Sequence, residues 1–203
     1  GGPSGGPTAS TSSDCEMRAT SESGLQHLGK CIIQQSHCVG LEIGFGMGDS
    51  LLDVAAKSPD QLWCGVEVYL PGVASVLRQA EEHSLSNIRV GVGDVIELLS
   101  MMEPESCDHI RLFFPDPWPK KRHNKRRLMS EAFLSMIVRV LKERGQFHIA
   151  TDNCQYAELC RELIQANPNI TLSDQIPFRP ETKFAKKAKQ CGHIITDILA
   201  VRA

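Results

Sequence analysis

The chain lacks a long apolar run, has few aromatic residues and carries almost no net charge, and each shortage narrows what it can be. No stretch approaches the ~18–20 consecutive apolar residues that a membrane-spanning helix requires. No basic segment followed by an apolar one opens the sequence, so no secretory signal is read, and a cytoplasmic or nuclear location is expected. An initiator Met is also missing, which suggests a fragment or a processed chain. Only 5% of the 203 residues are aromatic, so the core has to come from Val, Ile and Leu. That length suits one α/β domain better than two. Internal repeats are absent.

Cysteine is present but unpatterned. Cys15, Cys31, Cys38, Cys64, Cys107, Cys154, Cys160 and Cys191 include no Cys-x-x-Cys pair, and no histidine cluster completes a zinc set. Most lie in apolar stretches, where a reduced thiol is a small hydrophobe, so the thiols are read as free and no metal is expected. The net charge of −2 argues against a generic nucleic-acid binder. The distribution argues the other way. Lys120, Lys121, Arg122, Lys125, Arg126 and Arg127 place six cations within eight residues, and Lys183, Lys186, Lys187 and Lys189 form a second cluster. Locally basic faces on a mildly acidic protein focus a field toward an anionic partner.

Residues 1 to 24 are dominated by Gly, Ser, Thr and Pro and read as a disordered tail or an expression remnant, leaving 25–203 as the domain. From about residue 38, apolar strand-like runs recur at Val39–Ile43, Leu62–Val68, Ile88–Val92, His109–Phe114 and Gln146–Ala150. Helical spacing separates them. Val73, Val76, Leu77 and Ala80 follow Pro71; Phe133, Leu134, Ile137, Val138 and Leu141 share a face that Gly145 should stop; Tyr156, Leu159 and Leu163 precede Pro168. Strands alternating with helices imply right-handed crossovers and a mainly parallel sheet. Ile170–Leu172 and Ile194–Val201 read as two further strands, an antiparallel pair at the end, with no obvious long helix between them.

Leu41-Glu42-Ile43-Gly44-Phe45-Gly46-Met47-Gly48 falls where the first strand turns into a helix. Glycines there let backbone pass close to a ligand. The dinucleotide fingerprint is G-x-G-x-x-G. Here the spacing is G-x-G-x-G with Glu42 just before it, which suits a nicotinamide dehydrogenase less well. A sulfonium with an amino-acid tail calls for a nearby carboxylate more than a phosphate cradle. Glu67 ends the second run, where a carboxylate accepts ribose hydroxyls, and Gly93-Asp94-Val95 follows the third, where an acid accepts from the adenine amino group. S-adenosylmethionine accounts for three acids at three successive strand ends; solvated loop acids are the plainer alternative. After the fourth run comes Pro115-Asp116-Pro117-Trp118-Pro119, then the cation run. Ligands in open α/β sheets bind beyond the carboxyl ends of strands, so Asp116 is aimed at the reacting centre and Trp118 at a base. The flanking prolines should keep this loop out of helix.

Glu42-Ile43-Gly44-Phe45-Gly46, Gly65-Val66-Glu67-Val68-Tyr69, the segment Phe113 to Leu128, Ala150-Thr151-Asp152 and Arg179-Pro180-Glu181-Thr182-Lys183-Phe184 occur in that order. Together they resemble the tRNA (guanine-N7-)-methyltransferase family, from about residue 40 to the C-terminus. The resemblance implies a Rossmann-like fold, a mainly parallel seven-stranded sheet with a C-terminal antiparallel strand and helices on both faces. It implies S-adenosylmethionine held by Glu42, Gly44, Gly46, Gly48, Glu67, Asp94 and Val95, with Asp116 at the catalytic centre. Lys120, Asp152, Thr182 and Lys183 fall to the substrate side, and Arg126 and Arg127 to the tRNA backbone. The implied product is 7-methylguanosine at guanine 46 of the variable loop. Guanine N7 has no proton to remove, so alignment matters more than a strong base, and Asp116 would orient the base through its N1–H and N2–H₂ donors. The guanine would have to be exposed or flipped. Relatives work alone, as homodimers or with a β-propeller partner.

Three positions depart from the family pattern: Ala185 stands where an acid is usual, Lys186–Cys191 replaces an Arg-Gly pattern, and Asn153 stands where an aromatic is common. Two other readings follow, the same chemistry on another RNA and a tRNA-binding subunit without catalysis.

Overall fold

The computed structural model describes residues 21–33 and 38–203. The tail expected over residues 1 to 24 lies outside the described residues as far as residue 20; residue 21 opens α1 (Ser21–Ile33). Its buried Leu25, Leu28 and Ile32 recur at helical spacing and face the sheet. There follow β1 (Val39–Ile43), α2 (Asp49–Lys57), β2 (Leu62–Glu67), α3 (Leu70–Glu82), β3 (Ile88–Val92), α4 (Val95–Met101) and β4 (Cys107–Phe113). The second half adds α5 (Glu131–Val140), β5 (Leu141–Thr151), α6 (Cys154–Ala166), β6 (Ile170–Ser173), α7 (Lys183–Gln190) and β7 (Thr196–Arg202).

The seven strands form one sheet in the order β3-β2-β1-β4-β5-β7-β6. β1 to β5 pair in parallel, and β7 lies antiparallel between β5 and β6. β1 is buried along its whole length, as a central parallel strand covered on both faces should be. One core, under α1, α4, α5 and α6, includes Leu28, Leu98, Ile137 and Ile164; the other packs α2 and α3 through Leu51, Val73 and Val76 against Trp63. The chain leaves β1 toward β2 and β3, then crosses back to β4 on the other side of β1. The carboxyl ends of β1 and β4 therefore flank the switch point where such sheets take their ligands.

Two local expectations change. The helix expected to continue toward Gly145 ends at Val140, because Leu141 is extended (φ −69°, ψ 138°) and pairs with Cys107. Pairing then shifts, and the ladder resumes with Gln146 opposite His109 after Arg144 turns through φ +62°. A helix, α7, does lie between the last two strands. Half of its eight residues are Lys, and only Ala185 and Ala188 are buried, so it carries almost no apolar stripe. The proline-flanked loop around Asp116 stays out of helix as expected, and the cation run beyond it, Lys121–Arg126, forms a 3-10 helix.

Candidate active site

The loop after β1 carries Gly44, Gly46 and Gly48 at φ +66°, +56° and +87°. At Gly48 a side chain would also strike Val76, since an added Cβ would lie 2.0 Å from its Cγ2. Gly44 and Gly46 face open space, with nothing within 4 Å of an added Cβ. Two cavities lie on either side of this loop and share Gly44, Phe113 and Phe114. The first, about 430 Å³, is bordered by Glu67, Asp94, Val95, Asp116, Trp118 and Arg126. The second, about 560 Å³, is bordered by Glu42, Gly46, Gly48, Ser50, Thr182 and Lys183. Most of the residues expected at a site thus converge on one crevice. Lys120, Asp152 and Arg127 do not border either cavity.

The three acids differ in what they already hold. Glu67 accepts from the Gly46 N–H at 2.8 Å through one oxygen, and from Val68 N–H at 2.8 Å and Tyr69 N–H at 3.1 Å through the other. It thereby ties the second strand end to the glycine loop. Asp94 is exposed and caps α4, accepting from the Ile96 N–H at 2.7 Å. Glu42 is 2% exposed, and its Oε2 has no hydrogen-bond partner. Burial pushes the Glu42 carboxyl up to about 7, against the opposing pull of the Arg111 charge and the Ser50 hydroxyl.

Asp116 is exposed on a short loop at the end of β4. Two non-glycine residues with positive φ bracket it, Phe114 at +52° and Trp118 at +41°. Strained backbone of this kind persists only where its surroundings hold it. Phe114 N–H donates to Ala150 at 2.7 Å, and the Phe114 ring lies 4.6 Å from that of Phe184 on α7. Arg127 donates through Nε to the Pro117 carbonyl at 2.8 Å and through Nη2 to the Trp118 carbonyl at 3.2 Å. Arg126 instead lies over the Trp118 ring, 5.0 Å from its centroid, and is exposed. The two arginines that the sequence groups together point to different tasks. Lys120 stands exposed at the N-cap position of the 3-10 helix, its side chain making no cap hydrogen bond.

Thr182 caps α7 by accepting from the Ala185 N–H at 3.2 Å, and Asp152 pairs with His193 Nδ1 at 2.8 Å. Ala185 is wholly buried, and Asn153 caps α6 by accepting from the Tyr156 N–H at 2.8 Å. Sequence reasoning missed a group beneath Phe114. Arg179 lies 5.4 Å from the Phe114 ring and forms two bonds to Asp197, at 2.8 and 3.0 Å, while His148 Nε2 lies 2.9 Å from the same carboxylate. Burial alone would raise the Asp197 carboxyl, but hydrogen bonds from His148 and Arg179 outweigh it and hold it well below the usual range. Arg111 was missed too; its signal was a lone cation inside an apolar strand. Cys38, Cys64, Cys107, Cys154, Cys160 and Cys191 are free thiols, and among the described residues no three His, Cys, Asp or Glu residues gather as metal ligands. No described helix is long and apolar enough to cross a membrane.

The strand order, the antiparallel β7 and a glycine loop at the switch point define a Rossmann-like methyltransferase. Among solved structures, the aminoglycoside resistance methyltransferase NpmB1 superposes with a TM-score of 0.61 over 92% of this chain and 95% of its own, at 18% identity, a likeness of fold. Residues 36–198 match the family model described as "Putative methyltransferase". The tRNA (guanine-N(7)-)-methyltransferase of Yersinia enterocolitica is 44% identical over 172 residues, 81% of this chain and 72% of the relative. That of Streptomyces avermitilis is 41% identical, and the match covers 81% of this chain and 59% of the relative. The chain belongs to the tRNA (guanine-N(7)-)-methyltransferase family.

Proposed function

We propose that the protein transfers a methyl group from S-adenosylmethionine to N7 of guanine 46 in the tRNA variable loop. The observation that carries this reading is the strained Phe114–Trp118 loop, which sets Asp116 at the end of β4 on the wall of a cavity shared with Gly44 and Glu67. The donor set suits the cofactor: open space over Gly44 and Gly46, and one buried carboxylate oxygen on Glu42 without a partner. Bound there, S-adenosylmethionine supplies an electrophilic methyl group on a sulfonium.

The protein's own residues bind and orient. Asp94 keeps one oxygen for the adenine amino group while the other caps α4. Glu67 has about four lone-pair sites and uses three on backbone N–H groups, so ribose hydroxyls would share or displace one of these. Glu42 accepts from the amino-acid end of the cofactor. Asp116 accepts from the guanine N1–H and N2–H₂ donors, which turns N7 toward the methyl group. Holding the reacting atoms ~3–3.5 Å apart in line supplies several kcal/mol of the barrier, with no base required. Arg126, Lys120, Lys186, Lys187 and Lys189 meet tRNA phosphates, so tRNA affinity falls as salt rises. Asp152, Thr182 and Lys183 contact the guanosine. Assembly as a homodimer, or with a β-propeller partner, belongs to the same reading.

The test is transfer of labelled methyl to unmodified tRNA with nucleoside analysis. Label is expected in 7-methylguanosine at position 46, falling about 10²-fold or more in Asp116→Ala, the scale of losing reactant alignment. Label in another nucleoside, or full activity in the variant, refutes the assignment.

A further inference from the structure

Glu42 and Arg111 are direct partners across the β1–β4 ladder, so their side chains emerge side by side on one face of the sheet. Glu42 is buried and Arg111 largely so: their side chains are 3% and 11% exposed, and Arg111 Nη1 lies 3.9 Å from Glu42 Oε2. That is too long for a hydrogen bond, and Oε2 has no other partner. The guanidinium is held by other contacts. It lies 4.6 Å from the Trp63 ring and 5.5 Å from that of Phe113, and Nη1 reaches Ser50 Oγ at 3.4 Å. As a structural ion pair this arrangement is poor, because two desolvated charges are not joined and one oxygen goes unsatisfied. It makes sense as a site waiting for a third charge. Glu42 and Ser50 border the second cavity beside the glycine loop.

We propose that Arg111 is a positioning residue for cofactor capture, which keeps Glu42 ionised without occupying the oxygen that receives the α-ammonium group of S-adenosylmethionine. This rests on the reading of the crevice as a cofactor site. Burial works against the charged form of Glu42, and Arg111 on β4 and Ser50 on α2 oppose it. Asp53 on α2 and His109 on β4 face Arg111 in turn, and Asp53 is held by Lys57 at 2.9 Å. Without the guanidinium, a proton would take the place on Glu42 intended for the ammonium.

Calorimetric binding of S-adenosylmethionine between about pH 6 and 8, where both partners can be ionised, tests this with wild type, Arg111→Gln and Arg111→Lys. Arg111→Gln should weaken binding about tenfold near pH 7 and move the midpoint of the pH profile up by about one unit, while Lys restores most of the affinity. A loss equal at every pH, no loss, or a Lys variant as defective as Gln overturns the proposal. Should Arg111→Gln fail to fold, Ser50→Ala should shift the midpoint in the same direction by less, and an unmoved midpoint is equally decisive. Wild type that binds no S-adenosylmethionine at any pH would instead refute the cofactor reading itself.

Discussion

The two sides of the crevice are built on opposite principles. On the glycine-loop side the acids are fixed in place in advance: Glu67 bonds three backbone N–H groups, and Glu42 is buried beside Arg111 with one oxygen unpartnered. On the side of the cation run, Lys121, Arg122, Lys125 and Arg126 are exposed. A small cofactor with fixed shape rewards a pre-formed site whose groups need no rearrangement. A polyanion rewards hydrated cations, since its binding draws on counterion release and tolerates loose geometry. Arg127 is the exception on the basic side, because its guanidinium grips the backbone of the Asp116 loop.

That exception gives the largest expected effect. Arg127→Met removes the donors to the Pro117 and Trp118 carbonyls and should lower kcat about 10- to 100-fold, since a misplacement near 1 Å costs up to about 10²-fold. A variant with normal kcat and only a raised KM for tRNA would place Arg127 with its exposed neighbours. Next comes the buried side. Because the folded Glu42 carboxyl is raised to about 7, the folded state holds that proton longer than the unfolded chain. The stability it contributes is full below about pH 4 and is lost as pH rises through about 7, a change on the order of 1–3 kcal/mol. Thermal melts of the cofactor-free protein should therefore show a fall between about pH 5 and 8 that Glu42→Gln abolishes. Parallel melting profiles for the two proteins would contradict this.

Smaller effects belong to the hydrated side. Arg126→Met should leave cofactor binding alone, weaken tRNA binding a few-fold and reduce the salt slope by about one. A kcat defect without a change in slope would show that its contact with Trp118 matters more than phosphate. The smallest effect is expected at Arg78 and Glu82, an exposed pair 2.8 Å apart on one face of α3. Glu82→Gln should change stability by less than about 0.5 kcal/mol, as denaturant midpoints would show.

Much of the frame is legible in the residues themselves. β1 and β3 span the stretches that apolar runs mark, and the glycine loop, Glu67, Asp94 and Asp116 stand at strand ends as the alternation implies. Apart from Arg111, what escaped detection lacks a local signal. α7 has no apolar stripe, the end of α5 depends on Leu141 pairing with Cys107, and Arg179, Asp197 and His148 come from three separate stretches. Asn153, a departure from the family pattern, turns out to hold a helix start, a task for which Asn is well suited.

Sequence by itself determined the alternation of strands and helices through most of the sheet and the family, and it singled out candidate site residues, because periodicity, turn residues and motifs act over short spans. Tertiary structure alone decided which of those residues meet. It set Arg111 beside Glu42, turned Arg127 inward and Arg126 outward, and brought Phe184 against Phe114. Those choices depend on strand register and on crossovers between distant segments, and burial then sets the charge that each group can hold.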